Sequence, residues 1–139
     1  AICEIRGQLL RGKTLKSPSS EPAIRMVMMP RDTNAEGSIF GGVILALIDQ
    51  AAYVEAVRQA HARYVTVAMH AVEFHQPVFV GDVLSLYADA TKCGKSSLTI
   101  HVRVCARRRN DPDEVIKVTE AEVVFVAVDE NGKPVPVFA

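Results

Sequence analysis

The sequence predicts an α+β domain in which one long helix packs against a curved antiparallel sheet. Three observations carry this. A Pro-free run rich in Ala and Leu, from Val43 to about His61, is long enough for roughly five helical turns. Everything after Arg63 changes to β-forming residues in four long runs. The turns between those runs are short, and short turns join antiparallel neighbours, whereas parallel strands need a long crossover. At 139 residues and 49% hydrophobic, the chain suits one domain with a real core.

In chain order, residues 1–22 read as a flexible N-terminal segment, Ser- and Pro-rich from Lys13 to Pro22. Residues 23–139 form the single domain. A short strand over 24–29 ends at Pro30, and 31–38 is a polar loop. Gly41-Gly42 then opens the helix. Residues 65–76 make a strand that stops at Pro77, and Val80-Gly81-Asp82 turns into a second over 83–91. Gly94-Lys95-Ser96 is the next turn. Leu98, Ile100, Val102, Val104 and Ala106 alternate with polar or charged partners, the period of a strand with one buried face. Residues 115–128 are the last long strand, followed by an Asp129-Glu130-Asn131-Gly132 turn.

Charge narrows the function. Lys plus Arg and Asp plus Glu are 16 each, so the net charge is zero, which argues against a nucleic-acid or membrane-surface binder. No stretch of about 18 apolar residues could span a membrane, and residues 1–20 lack the apolar block of a signal peptide. Their basic character leaves open a remnant of a longer leader or an artificial start. Cys3, Cys93 and Cys105 are odd in number and match no metal motif and no disulfide framework, which points to a reduced, cytoplasmic setting.

Asp49 is the most informative residue. At 100° per residue it falls among Leu45, Ala46, Ala52, Tyr53, Ala56 and Ala60, with Glu55 and Arg58 on the far side. A carboxylate on an apolar face is costly unless used; the alternative is a partly exposed Asp or one that caps a backbone group. Gly41 and Gly42 begin the same helix. Free N–H groups there attract negative charge and can hold an oxyanion; an ordinary glycine turn is the alternative. Asn34, in the loop before them, can orient water or a carbonyl, or simply form a turn. Lys95, Ser96 and Ser97 offer ammonium, hydroxyl and N–H donors to a phosphate. His61, His70, His75 and His101 have no metal spacing, and no serine or cysteine nucleophile motif is present.

These residues resemble a known family. The stretch from Met29 to Gly42, Met-Pro-Arg-Asp-Thr-Asn-Ala-Glu-Gly-Ser-Ile-Phe-Gly-Gly, with Asp49 seven residues on, is similar to acyl-CoA thioesterases of the YciA and cytosolic acyl-CoA hydrolase type. Phe74-His75-Gln76-Pro77-Val78-Phe79-Val80-Gly81-Asp82, Gly94-Lys95-Ser96-Ser97 and Val124-Phe125-Val126-Ala127-Val128-Asp129 continue the similarity, which covers about residues 24–135. The resemblance implies a hotdog fold, a long helix wrapped by an antiparallel sheet. It implies a homo-oligomer, a dimer or trimer of dimers, with sites across the dimer interface. It implies Asp49 as base or nucleophile, Asn34 beside it, Gly41 and Gly42 as oxyanion donors, and Lys95, Ser96 and Ser97 at the CoA phosphates. No cofactor or metal is expected, since CoA is part of the substrate. Phe40 stands where many relatives have His, so no His base is expected there. A hotdog hydratase or dehydratase would need a His paired with a carboxylate, and 30–50 holds none. A non-catalytic acyl-CoA sensor would have no use for Asp49. Tyr53, Met69 and Phe74 are candidates for the acyl pocket.

Overall fold

A computed structural model describes residues 9–10 and 13–138. Two short strands, β1 (Leu9–Leu10) and β2 (Lys13–Thr14), pair with each other. Then come β3 (Ile24–Val27), a 3₁₀ turn (Pro30–Asp32), α1 (Gly41–Gln59), β4 (Arg63–Phe74), β5 (Val83–Cys93), β6 (Ser97–Arg107) and β7 (Val115–Val128). The large sheet runs β3-β5-β6-β7-β4, with every neighbour antiparallel. The helix-and-antiparallel-sheet architecture read from the sequence is the one found. Its helix starts at Gly41, at the Gly41-Gly42 pair expected to open it, and ends at Gln59, two residues before His61.

The alternation in β6 buries Leu98, Ile100, Val102, Val104 and Ala106 against α1. From the helix, Ile44, Leu47, Ile48, Ala51, Ala52 and Ala56 meet them. Ala at three of these positions lets the helix lie close to the sheet, so few large side chains fill the layer between. Glu55 departs from the helical-wheel expectation: it is only 3% exposed. Arg58 donates to both its oxygens, at 2.7 and 2.9 Å, and Gln59 donates to Oε2 at 2.8 Å. A buried carboxylate is tolerated because three donors satisfy it. The same groups hold the incoming chain. Lys16 N–H donates to Gln59 Oε1, Arg58 donates to the Ser17 carbonyl, and Leu15 is buried at 1% exposure. The segment expected to be flexible over 1–22 is therefore anchored at 15–17. Cys93 is disulfide-bonded and Cys105 is a free thiol, so the reading of no disulfide from an odd cysteine count does not hold.

A buried ion pair fixes the turn before β5. Asp82 is 2% exposed, accepts from Phe79 N–H at 2.9 Å and pairs with Arg108 at 2.6 Å. Arg108 also donates to the Pro77 carbonyl. This pins the 77–82 turn, since losing one partner of a buried pair costs about 3–5 kcal/mol. At the opposite side of the sheet, β4 is an open edge carrying Val65, Val67 and Phe74 at 43%, 56% and 51% exposure. A long apolar edge is a template for pairing with another strand.

Candidate active site

Asp49 lies on the border of the core face of α1, half-buried, rather than at its centre. Ala52 and Ala56 beside it are fully buried, but Tyr53 is 46% exposed and Ala46 is open. The carboxylate has a partner that the helical wheel did not predict: Thr66 on β4 donates its hydroxyl to Asp49 Oδ1 at 2.7 Å. Among the described residues no other group bonds to Asp49, so Oδ2 is free to accept from a water or a substrate. Thr66 sits 17 positions along the chain, at the start of a register shift between Thr66 and Ala68 that re-aims the strand. No local motif marks it. Only the packing of the helix against the edge strand reveals it.

The helix start leaves backbone donors unclaimed. Phe40 is the N-cap and supplies no side-chain cap. Its carbonyl takes the Val43 and Ile44 N–H groups, while those of Gly41 and Gly42 have no acceptor among the described residues. A Cβ on Gly41 would just touch the Phe74 ring, at 3.4 Å from Cζ. Gly42 faces open space, with nothing within 4 Å of an added Cβ. Gly41 also lines a cavity of about 290 Å³ with Ile39, Ile44, Phe74, Gln76 and Val78. This cavity is apolar at its floor, suited to a chain rather than a charged group. Of the three side chains expected to line an acyl pocket, Phe74 is in it. Tyr53 packs edge-on against Tyr64 and Phe125, and Met69 is half-buried against the core.

Asn34 is committed to its loop. Its Oδ1 accepts from Glu36 and Ser38 N–H at 2.8 and 3.1 Å, and its Nδ2 donates to Ser38 Oγ at 3.0 Å. Among the described residues it makes no bond to Asp49. One Nδ2 hydrogen remains available.

Distances along the elements decide which of these groups one chain can combine. Asp49 is eight positions beyond Gly41 on the same helix, which is about 12 Å at 1.5 Å per residue. One thioester cannot touch both. Phe74, beside Gly41, is at the far end of β4 from Thr66, beside Asp49. The Lys95-Ser96-Ser97 turn lies at the Asp49 end: Thr66 and Leu98 both stand opposite Phe125, about 10 Å apart at two strand spacings. The turn is rigid, since the Ser96 carbonyl accepts from Ala127 and the Lys95 carbonyl from Val137. Lys95 and Ser96 line a second cavity of about 270 Å³ with Pro134, Val135 and Pro136.

Known proteins resemble this chain over most of its length. The Thioesterase superfamily model matches residues 36–112. An uncharacterized acyl-CoA thioester hydrolase of Zymomonas mobilis is 48% identical over 118 residues, covering 85% of this chain and 78% of that protein. The acyl-CoA thioester hydrolase YciA of Salmonella typhimurium is 40% identical over 122 residues, 86% of this chain and 92% of its own length. Among solved structures, Cj0915, a hexameric hotdog fold thioesterase of Campylobacter jejuni, matches with a TM-score of 0.80 at 40% identity over 85% of this chain and 90% of that one.

Proposed function

The chain belongs to the Thioesterase superfamily, and from that premise we infer how it hydrolyses acyl-CoA to a free carboxylic acid and CoA. The observation that carries the inference is the half-buried Asp49, held at Oδ1 by Thr66 with Oδ2 free, on a helix whose first N–H groups are unclaimed. Asp49 Oδ2 takes a proton from a water, whose oxygen attacks the thioester carbon. The carbonyl oxygen becomes an oxyanion held by the Gly41 and Gly42 N–H groups. Collapse of the tetrahedral intermediate breaks the carbon–sulfur bond, and the CoA thiolate leaves and takes up the proton.

About 12 Å between Asp49 and Gly41 in one helix supports a site shared by two chains. A two-fold pairing of open β4 edges runs them antiparallel. It brings the Thr66 end of one strand toward the Phe74 end of the other, and so Asp49 of one chain toward the glycine donors of its partner. The Lys95-Ser96-Ser97 turn, at the Asp49 end, grips the CoA phosphates. The chain acts as a homo-oligomer no smaller than a dimer, and the hexameric state of Cj0915 favours a trimer of dimers.

A thiol-release assay with several acyl-CoAs tests the reaction. Thiol should appear at an unchanged rate without added metal or cofactor and in the presence of chelator, because every step above uses the chain's own groups. Activity that disappears with chelator and returns with zinc would contradict this mechanism.

Asn34 is the residue with two competing duties. Asn34→Ala removes both the loop bonds and the spare Nδ2 donor. Asn34→Asp keeps an oxygen for the Glu36 and Ser38 N–H groups but loses the amide donor. If Nδ2 orients the water or the carbonyl, both variants should lower turnover about tenfold or more with little change in affinity. Turnover near wild type in Asn34→Asp, with loss only in Asn34→Ala, would reduce Asn34 to a loop-former.

A further inference from the structure

Beside the glycine cavity, which His75 also lines, a cluster of charged side chains stands on the outer face of the sheet. Glu73 on β4 stands directly opposite Glu120 on β7. Two carboxylates in direct cross-strand register repel, so the pair calls for a cation between them. His75 and Lys117 stand there now. His75 Nε2 is 3.0 Å from Glu120 Oε2 and 3.5 Å from Glu73 Oε2, and the Lys117 ammonium contacts Glu120. From β6, His101 Nε2 approaches Glu120 Oε1 at 3.1 Å. Arg103 is the cross-strand neighbour of Glu120, yet its guanidinium lies over the Tyr87 ring, 5.0 Å from the centroid.

One imidazole nitrogen and two carboxylates thus converge, while His101 on β6 holds the other oxygen of Glu120. The ligand atoms of Glu73, His75 and Glu120 all lie within 4.8 Å of one another. A tetrahedral zinc ion with bonds of about 2.0–2.1 Å holds its ligand atoms about 3.3–3.4 Å apart. The His75 spacings of 3.0 Å to Glu120 and 3.5 Å to Glu73 bracket that value. A mixed nitrogen and oxygen set suits a borderline transition ion, whereas magnesium and calcium call for oxygen alone.

We propose that Glu73, His75 and Glu120 bind one divalent transition-metal ion of the zinc class on the outer face of the sheet, with a water as fourth ligand and His101 holding Glu120 from β6. The ion takes the place of the Lys117 ammonium, whose side chain is 44% exposed and can swing into solvent. It enters from solvent past Glu73, 63% exposed. Bound there, it ties the open edge strand β4 to β7, next to the Gln76-Pro77-Val78 wall of the glycine cavity. Its role is to fasten this end of β4, and it takes no part in hydrolysis.

The test uses chelator-stripped protein without a polyhistidine tag, titrated with zinc and, separately, with cobalt(II) as a spectroscopic probe. One zinc per chain should bind and raise the melting temperature, and magnesium should do neither. Cobalt should give the intense visible bands of a four-coordinate site. His75→Ala and Glu73→Gln should each weaken zinc binding at least about tenfold, while stripped Glu73→Gln protein keeps wild-type thiol release. Absence of saturable zinc binding below roughly 100 µM overturns the proposal. So does a weak six-coordinate cobalt spectrum from the wild-type protein, which requires no variant to fold. Unchanged zinc affinity in both variants overturns it as well.

Discussion

Asp49→Asn is expected to lower turnover at least about 100-fold, the lower range for a lost general base and about 2.7 kcal/mol of transition-state stabilisation. The substitution preserves size and shape. Its amide oxygen can still accept the Thr66 hydroxyl, so the helix–strand contact survives. What is lost is the basic Oδ2 that takes the proton from water. Acyl-CoA affinity should hold or improve, because the phosphate grip lies on another element and a partly desolvated charge has gone. Melting temperature should stay close to wild type. A merely structural Asp49 predicts the reverse pattern, with turnover intact and stability reduced. Steady-state kinetics, ligand titration and thermal melting on this one variant separate the two.

Gly42→Val should have the next largest effect, a fall in turnover of about 100-fold, the loss seen when an oxyanion donor is removed. An added side chain meets nothing within 4 Å in the chain itself. A β-branched residue in a first helical turn costs only tenths of a kcal/mol. Folding should therefore be preserved, while the new methyl groups stand where the thioester must reach the N–H groups. Gly41 is a less clean choice for this test, because a side chain there touches the Phe74 ring, whereas one at Gly42 touches nothing within 4 Å. Kinetics should be paired with light scattering, since the reading requires the loss of rate in an assembly of unchanged mass. Wild-type turnover in Gly42→Val would move the oxyanion donors elsewhere.

The strand pattern was legible because β6 alternates strictly and α1 is long, apolar and free of proline. Local sequence also marked the glycine start and Asp49. It failed where the cause is a contact between distant elements. Glu55 looked like a solvent-side charge because a helical wheel has no knowledge of Arg58 and Gln59 folding back over it. Thr66 was invisible for the same reason, since nothing near it in sequence points to a helix 17 positions earlier. Asn34 was read with a catalytic and a turn-forming role both open; its three loop bonds favour the second without removing its spare donor. His75 and His101 both approach Glu120, a meeting that no spacing along the chain shows. Glu120 is held well below the usual carboxylate range, at about 2, mainly by Lys117 and then His75, a local effect that net charge does not register.

If each hydrolytic site takes Asp49 from one chain and its glycine donors from another, subunit mixing tests the sharing most directly. Asp49→Asn and Gly42→Val chains, each nearly inactive, are unfolded together in equal amounts and refolded. In a mixed dimer with shared sites, one site carries both lesions and the other carries neither. Random pairing makes half the dimers mixed, each with one intact site of two, so about a quarter of wild-type activity should return. Activity that remains at the sum of the two parents, in a refolded mixture of wild-type mass, would put Asp49 and the glycines of a single chain in one site and contradict a shared site.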